Sequence, residues 1–490
     1  MKATSSSKLV PRTSLSRGAD TSLTEQLAAR FADPIRQRLL SAGARLPSVR
    51  ECARKHGVSA STVVAAYDRL LAQGLVEARK QRGFYVRETL SNAAAASRLR
   101  DAAAAVHLPP LFPPPLSATA LVRGMFQPPG SLPMPGLGSL PVDWLDSPLL
   151  SSALKRVTAG AQLGALSLQY GEPTGDMRLR RALSVQLHDL GIAAAPEHII
   201  TTLGAIHALD VVTRSLLRAG DSVLVDEPGW PVEFARLAAM GLRVLPVPRG
   251  EAGPDLAVMQ KHIDANPANP PRLYITVSVL HNPTGASLSL AAAHRVLELA
   301  KRNHLHIVED DTYAHLAPAH LPRLAALDAL ERTIYISGFS KILAPNWRVG
   351  FIAAPPDLTE RFVDTKLLTT LTTPSITEQA LAHCLENGLL RRHAERVMLR
   401  LDAARARAVK LAEAHACTFA APPRGLFGWV DVGADTERLA RVMSEAGWLL
   451  APGSLFHATA RPTSLMRINF ATTQEARFWK ALSAARLALR

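Results

Sequence analysis

Five of the eight residues from Leu108 to Pro115 are proline. Proline fixes φ near about −65° and has no backbone N–H, so such a run cannot continue a helix or lie inside a sheet. No single core extends through it. The chain is expected to fold as separate bodies joined by a partly extended Ala/Pro-rich linker over residues 91–125. Length agrees: one ordinary domain holds about 100–200 residues, and this chain has 490. With 48% hydrophobic residues, it has ample material for packed cores. Cys52, Cys384 and Cys417 are its only cysteines. They make no disulfide framework and no metal-ligand spacing, so a reducing, cytoplasmic setting is expected and a metal site is not. Neither a signal peptide nor a membrane span is expected, because no long uncharged apolar run occurs.

Charge divides as unevenly as proline does. Residues 1–90 carry 16 Lys/Arg against 7 Asp/Glu, a net of +9, while the remaining 400 carry 40 against 34, a net of +6. The excess at the amino end points to a polyanion-binding module there. The near balance beyond it leaves no broad basic surface for packaging nucleic acid.

Residues 1–19 are Ser/Thr-rich and basic and are read as a flexible arm. Leu23, Leu27, Phe31, Ile35 and Leu39 step by four, as on one side of a helix, which Pro34 should kink. A second helix fits Ser48–His56 with Ser48 as N-cap. Gly57 makes a turn, Ser59 caps a third helix, Val63, Tyr67 and Leu70 give it an inward face, and Gly74 closes it. Two short strands, Leu75–Ala78 and Phe84–Arg87, then flank a basic hairpin. A helix-turn-helix needs a small, polar start to its second helix, which enters the major groove; Ser59-Ala60-Ser61-Thr62 supplies it. Arg45 and Arg50 can clamp phosphates, with Arg79, Lys80 and Arg82 within reach of the backbone or minor groove.

Residues 20–90 thus resemble the winged helix of GntR-type regulators. The matching motifs are Arg45-Leu46-Pro47-Ser48-Val49-Arg50, Gly57-Val58-Ser59-Ala60-Ser61-Thr62-Val63, Tyr67-Asp68-Arg69-Leu70 and Gly74-Leu75-Val76-Glu77. Ala60 stands where many members carry arginine. The resemblance implies binding to double-stranded DNA through Arg45, Ser48, Arg50, Ser59, Ser61, Thr62 and Arg82.

Beyond the linker, strand-like runs (His198–Thr201, Ser222–Val225, Arg272–Val279, Leu305–Glu309, Thr333–Ser337) alternate with helical ones. This predicts an α/β domain with a largely parallel sheet. Lys341 follows one strand in Ser337-Gly338-Phe339-Ser340-Lys341, at the sheet edge where ligands bind in such folds. Thr202-Leu203-Gly204-Ala205-Ile206 joins another strand to a helix, so its amides can hold a phosphate, and Arg348 can add a bidentate contact. Asn282, Asp310 with Tyr313, and Trp230 follow three more strands. Together these suit pyridoxal phosphate: Lys341 for the aldehyde, a carboxylate for the pyridinium nitrogen, Asn282 and Tyr313 for the ring oxygen, Trp230 for its face, and Ser340 beside the phosphate.

The stretch 126–490 resembles fold-type I aminotransferases, which have a large and a small subdomain. Their carboxylate and tyrosine stand three apart, which selects Asp310 over Asp311. By the same resemblance, Tyr170 reaches the cofactor phosphate of the other subunit and Arg467 grips a substrate α-carboxylate. A winged helix, a proline-bearing linker and an aminotransferase-like domain, in that order, resemble the MocR-type transcription regulators. That implies a homodimer on a two-part operator. It also implies sensing of an amino acid, amine or B6 vitamer through an aldimine at Lys341. The alternative is a genuine aminotransferase with an appended DNA-binding domain.

Overall fold

In the structure, a computed structural model, the described residues are 22–36, 40, 43–79, 83–87, 134–159 and 162–489. The expected arm (1–19), linker (91–125), Leu39, Lys80 and Arg82 lie outside them. The chain divides into two units, residues 1–113 and 114–490, and each is described by itself.

In the first unit α1 (Leu23–Arg36), α2 (Val49–His56) and α3 (Ala60–Ala72) precede an antiparallel pair, β1 (Val76–Arg79) and β2 (Gly83–Val86). The caps explain the boundaries. Ser48 accepts from the Glu51 amide, Gly57 ends α2 at φ 65°, and Ser59 accepts from the Thr62 amide. Pro34 lies inside α1, two residues before its end. The first strand starts one residue later than the sequence suggests, because the Leu75 amide bonds back to the Leu70 carbonyl at 3.1 Å and is spent on closing α3, while the second starts and ends one residue earlier. Leu27, Phe31, Cys52, Val63, Tyr67, Leu70, Val76 and Val86 form the core. Tyr67 meets Phe31 and Phe84 edge-on and donates its hydroxyl to the Pro47 carbonyl at 2.9 Å, which ties α3 to the turn before α2.

The second unit is built on an eight-stranded sheet. Its strands are β3 (Ile199–Thr202), β4 (Ser222–Glu227), β5 (Arg243–Gly250), β6 (Gly253–Pro254), β7 (Leu273–Thr276), β8 (His306–Asp310), β9 (Thr333–Gly338) and β10 (Gly350–Ala353). They lie in the order β3-β10-β9-β8-β7-β4-β5-β6. The pairs β5–β4, β4–β7, β7–β8 and β8–β9 are parallel. Only β10, between β3 and β9, and the short β6 run against them. Since β10 opposes both neighbours, β3 points the same way as β9, and the carboxyl ends of β3, β4, β7, β8 and β9 open on one edge. Helices cover the buried strands. Ala205–Leu216, for example, packs Val211 and Val212 with Ile200, Val223 and Ile334, each such side chain contributing about 1.5–3 kcal/mol by leaving water.

The sequence reading found neither β5 nor β10, and it named no strands for the small subdomain. There β11 (Thr418–Phe419), β12 (Phe427–Asp431), β13 (Ala451–Pro452) and β14 (Leu465–Asn469) form an antiparallel sheet in the order β11-β12-β14-β13. Among the described residues, no helix is long and apolar enough to cross a membrane.

Candidate functional site

The turn after β3 is shaped for an anion. Gly204 sits at φ 79° and precedes Ala205–Leu216, a helix with no side-chain cap, so its first amides remain available. A Cβ at Gly204 would come within 2.6 Å of the Arg348 guanidinium, and one at Gly350 within 2.6 Å of the Gly204 backbone. Glycine is therefore required at both. Arg348 donates to the Leu203 carbonyl at 2.8 Å and to Ser340 Oγ at 3.2 Å, so a cation and a hydroxyl rim the same turn. The side chain of Ile206 is exposed, so only its amide faces this duty.

Beside this cup is a cavity lined by Trp230, Phe234, Ile275, Val277, Asn282 and Asp310, together with three groups that the sequence reading missed: Asp226, Glu233 and His281. Asp310 ends β8 and accepts from the Thr312 amide at 3.0 Å and from its hydroxyl. Burial pushes its carboxyl up to about 6, against the pull of those bonds. Its neighbour Asp311 is engaged elsewhere, held by Arg323 at 3.0 Å and the Tyr335 hydroxyl at 2.9 Å. Glu309 also faces away, accepting from Ser278 and from the amides of Leu324 and Ala325. Of three consecutive carboxylates, only Asp310 faces the cavity.

Glu233 stands one turn after Trp230 on the helix Pro231–Ala239 and is forked by Arg236 at 2.6 and 3.1 Å. Asp226 is paired with Arg249 at 2.6 Å and accepts from Thr276 at 2.7 Å and from Tyr274. Burial raises the Asp226 carboxyl, but the Arg249 charge, helped by the Tyr274 and Thr276 hydroxyls, holds the group below its ordinary value. His281 is pushed down to about 3, by burial first and Arg249 second, so it is a neutral ring. Glu233 is an ordinary first-turn acid in the sequence, and only packing brings it to the cavity. Asp226 and His281 acquire their partners only through the sheet.

Lys341 lies three residues past β9. Its amine is pushed down to about 8, by burial first and by the cations Arg467 and Arg348, while Asp310 draws it back. Tyr313 meets Phe427 edge-on at 5.4 Å, and burial keeps its phenol protonated. Arg467, on β14, donates to Asn282 Oδ1 at 3.0 Å and to the Gly136 carbonyl at 2.7 Å. It lies over the rings of Phe427 and Phe456, and its Nε is buried without a partner. Burial lowers it to about 10. Gly138 lies against these groups, where a Cβ would be in ordinary contact with the Arg467 guanidinium at 3.7 Å and with Lys341 Nζ at 3.9 Å. Tyr170 takes no part in the cavity of its own chain and is 82% exposed.

These residues fit pyridoxal phosphate. The glycine cradle with Arg348 matches a phosphate, and the cavity lined by the Trp230 ring and the Asp310 carboxylate suits a pyridine ring. Lys341, Asp310 and Arg467 have no ion-pair partner within 4 Å among the described residues. A buried charge left unpaired costs several kcal/mol, about 3–5 when a pair is broken. Arg467 is buried, and Lys341 and Asp310 are half-buried, so three unpaired charges clustered at and beside the cavity define a site that a charged ligand completes.

In the amino-terminal unit, Arg45, Ser48, Arg50, Ser59 and Ser61 are exposed and Thr62 is half-buried. Arg45 bridges to Tyr85, which sets it beside the wing. Arg54 and Lys55 are also exposed near the end of α2. The hydroxyls of Ser59, Ser61 and Thr62 bond among themselves, with Ser59 Oγ at 2.8 Å from Ser61 Oγ and 2.7 Å from Thr62 Oγ1. Arg79 turns back onto Glu77 at 2.8 Å and over the Tyr85 ring.

Comparison with known proteins agrees with both units. Residues 23–86 match the family "Bacterial regulatory proteins, gntR family", and residues 141–484 match "Aminotransferase class I and II". The probable rhizopine catabolism regulatory protein MocR of Rhizobium meliloti is 30% identical over 399 residues, covering 80% of this chain and 77% of that protein. The uncharacterized HTH-type transcriptional regulator YjiR of Escherichia coli is 26% identical over 471 residues, covering 94% and 97%. Among solved structures, the α-aminoadipate aminotransferase LysN of Thermus thermophilus, complexed with N-(5'-phosphopyridoxyl)-L-leucine, superposes with a TM-score of 0.68 at 26% identity, covering 76% of this chain and 96% of that one. With its DNA-binding winged helix ahead of a pyridoxal-phosphate-dependent, fold-type I domain, the chain belongs to the MocR-type transcription regulators.

Proposed function

We propose that this regulator senses an amino acid, an amine or a B6 vitamer at Lys341 and passes the result to a two-part DNA operator as a homodimer. The observation that carries the reading is the cluster of charges without an ion-pair partner, half-buried Lys341 and Asp310 with buried Arg467, of which Asp310 lines the cavity. Pyridoxal phosphate, when bound, supplies an aldehyde for amines and an electron-withdrawing ring. The chain does the rest. An amine titrating near 8 leaves Lys341 partly neutral and nucleophilic at physiological pH. Asp310 places its negative charge for the ring nitrogen, Asn282 and Tyr313 offer bonds to the ring oxygen, and Trp230 covers one face. The amides of Gly204, Ala205 and Ile206 receive the phosphate with Ser340 and Arg348. Arg467 holds an effector carboxylate.

That last contact supplies the switch. A carboxylate at Arg467 relieves an unpaired buried cation and favours whichever arrangement of the two subdomains holds it better. By linkage, the effector's preference for one state and the operator's preference for the same state reinforce each other. A homodimer suits the surface: Leu168, Tyr170 and Leu368 are all more than four-fifths exposed, and a partner subunit would cover them. The wild-type protein should show visible absorbance from its cofactor and an effector-dependent operator affinity. Lys341→Ala should lose both, and retention of either would sink the reading.

A second reading, turnover of amino acids to 2-oxo acids, is favoured by the full set of Asp310 and Asn282 on the cavity with Lys341, Tyr313 and Arg467 clustered beside them. Steady transamination at about 1 s⁻¹ or faster with a common amino acid and keto acid would promote it.

A further inference from the structure

The outward face of α3 holds an unusual choice of side chains for a helix that reads bases. At about 100° per residue, Ala60, Ser61, Val64, Ala65 and Asp68 fall within one arc, and all five are exposed. Val63, Ala66, Tyr67 and Leu70 occupy the opposite, buried arc. From Ala60 to Asp68 there is no Arg, Lys, Asn or Gln, the side chains that make bidentate bonds to guanine or adenine. The hydroxyls at the start of the helix are partly spent, because Ser59 Oγ accepts from the Thr62 amide at 3.1 Å and also bonds Ser61 and Thr62. Apart from Ser61 and Asp68, what the arc turns toward a groove is apolar: the methyls of Ala60, Val64 and Ala65, with Val64 43% exposed.

The major groove offers one apolar group, the thymine 5-methyl. We infer that α3 reads its operator half-site chiefly by packing Ala60, Val64 and Ala65 against thymine methyls, while Arg45, Arg50, Arg54 and Lys55 hold the phosphates. The inference rests on the amino-terminal unit being a DNA reader and names what it reads. Basic groups lie at the flanks of α3, on α2 and beside the wing, and apolar ones lie along its outward arc. Positioning and readout therefore fall to different residues.

The test uses the full-length protein with pyridoxal phosphate. Duplexes are selected from a random library, and the best is resynthesised with uracil replacing thymine one position at a time. This removes only the methyl. At one or more positions in each half-site, uracil should weaken binding about fourfold, the factor carried by burying one hydrocarbon carbon. Val64→Ala should bring the thymine-to-uracil ratio at one of them close to one. Equal affinity for thymine and uracil at every position would overturn the inference. Arg50→Ala on the same duplex separates the two levels. If it weakens binding while uracil does not, the reader stands and the methyl readout falls. If no duplex is enriched, both fall.

Discussion

The two units spend their charges in opposite ways. The winged helix keeps Arg45, Arg50, Arg54 and Lys55 in water, where each charge is cheap to hold and weak alone. It works by number, through release of counterions from DNA. The cofactor domain holds Lys341 and Asp310 half-buried and Arg467 buried, all without an ion-pair partner among the described residues, with the amine lowered and the carboxyl raised by the same desolvation. There each charge is costly and decisive. Substitutions should accordingly be graded in the first unit and near all-or-none in the second.

The largest expected effect is at Arg467. A hydrogen bond to a charged group is worth about 1.5–3 kcal/mol, so Arg467→Gln should weaken an amino-acid effector by about 10–100-fold. Its decarboxylated amine should bind as before, because it has nothing for the guanidinium to hold. Paired titrations of the two ligands would show this. Equal losses for both would mean that Arg467 supports the site rather than the carboxylate.

Asp310→Asn comes next and has two opposed effects. The folded carboxyl titrates near 6, above its ordinary 3.8, so the folded state prefers the proton. The unfolded state loses that proton first as pH rises, and stability of the cofactor-free protein falls between about 4 and 6 and stays low above. Asparagine removes this cost. At pH 7.5 the cofactor-free variant should melt higher than the wild type, and at pH 4 the two should coincide. Tight cofactor binding should be lost, since no negative charge remains for the ring nitrogen. Thermal melts at the two pH values would check the sign.

Asp310 also shows how far the sequence could be read. Glu309-Asp310-Asp311 offers three adjacent carboxylates, and alternation along a strand predicts only that neighbours point opposite ways. Family spacing to Tyr313 favoured the middle one, which is the one on the cavity. The reasons its neighbours are engaged, Arg323 for Asp311 and the amides of Leu324 and Ala325 for Glu309, come from chain 12 to 16 residues away and follow no local rule. Glu233 was overlooked because an acid in the first turn of a helix is ordinary; only packing shows it buried. β5 was missed for Pro246 and Pro248, which weaken a strand signal, yet β5 lies near the sheet's edge, with only the two-residue β6 beyond it. In the small subdomain, β11 and β13 are two residues each, too short for periodicity to register. Capped helices fared better, since Ser48 and Ser59 satisfy their own helix starts locally.

The smallest expected effect returns to the exposed unit and bears hardest on the comparison. Arg50 stands in water at the start of α2, so Arg50→Ala removes one phosphate contact and leaves the core untouched. Affinity for the operator and for unrelated DNA should fall together, by several-fold at low salt. The slope of log affinity against log salt should become shallower by about 1. Filter binding across a salt series measures both. A loss confined to the operator, with the slope unchanged, would mean that Arg50 touches a base edge. Reading would then extend beyond α3, and the division between phosphate-holding arginines and a methyl-reading helix would have to be redrawn.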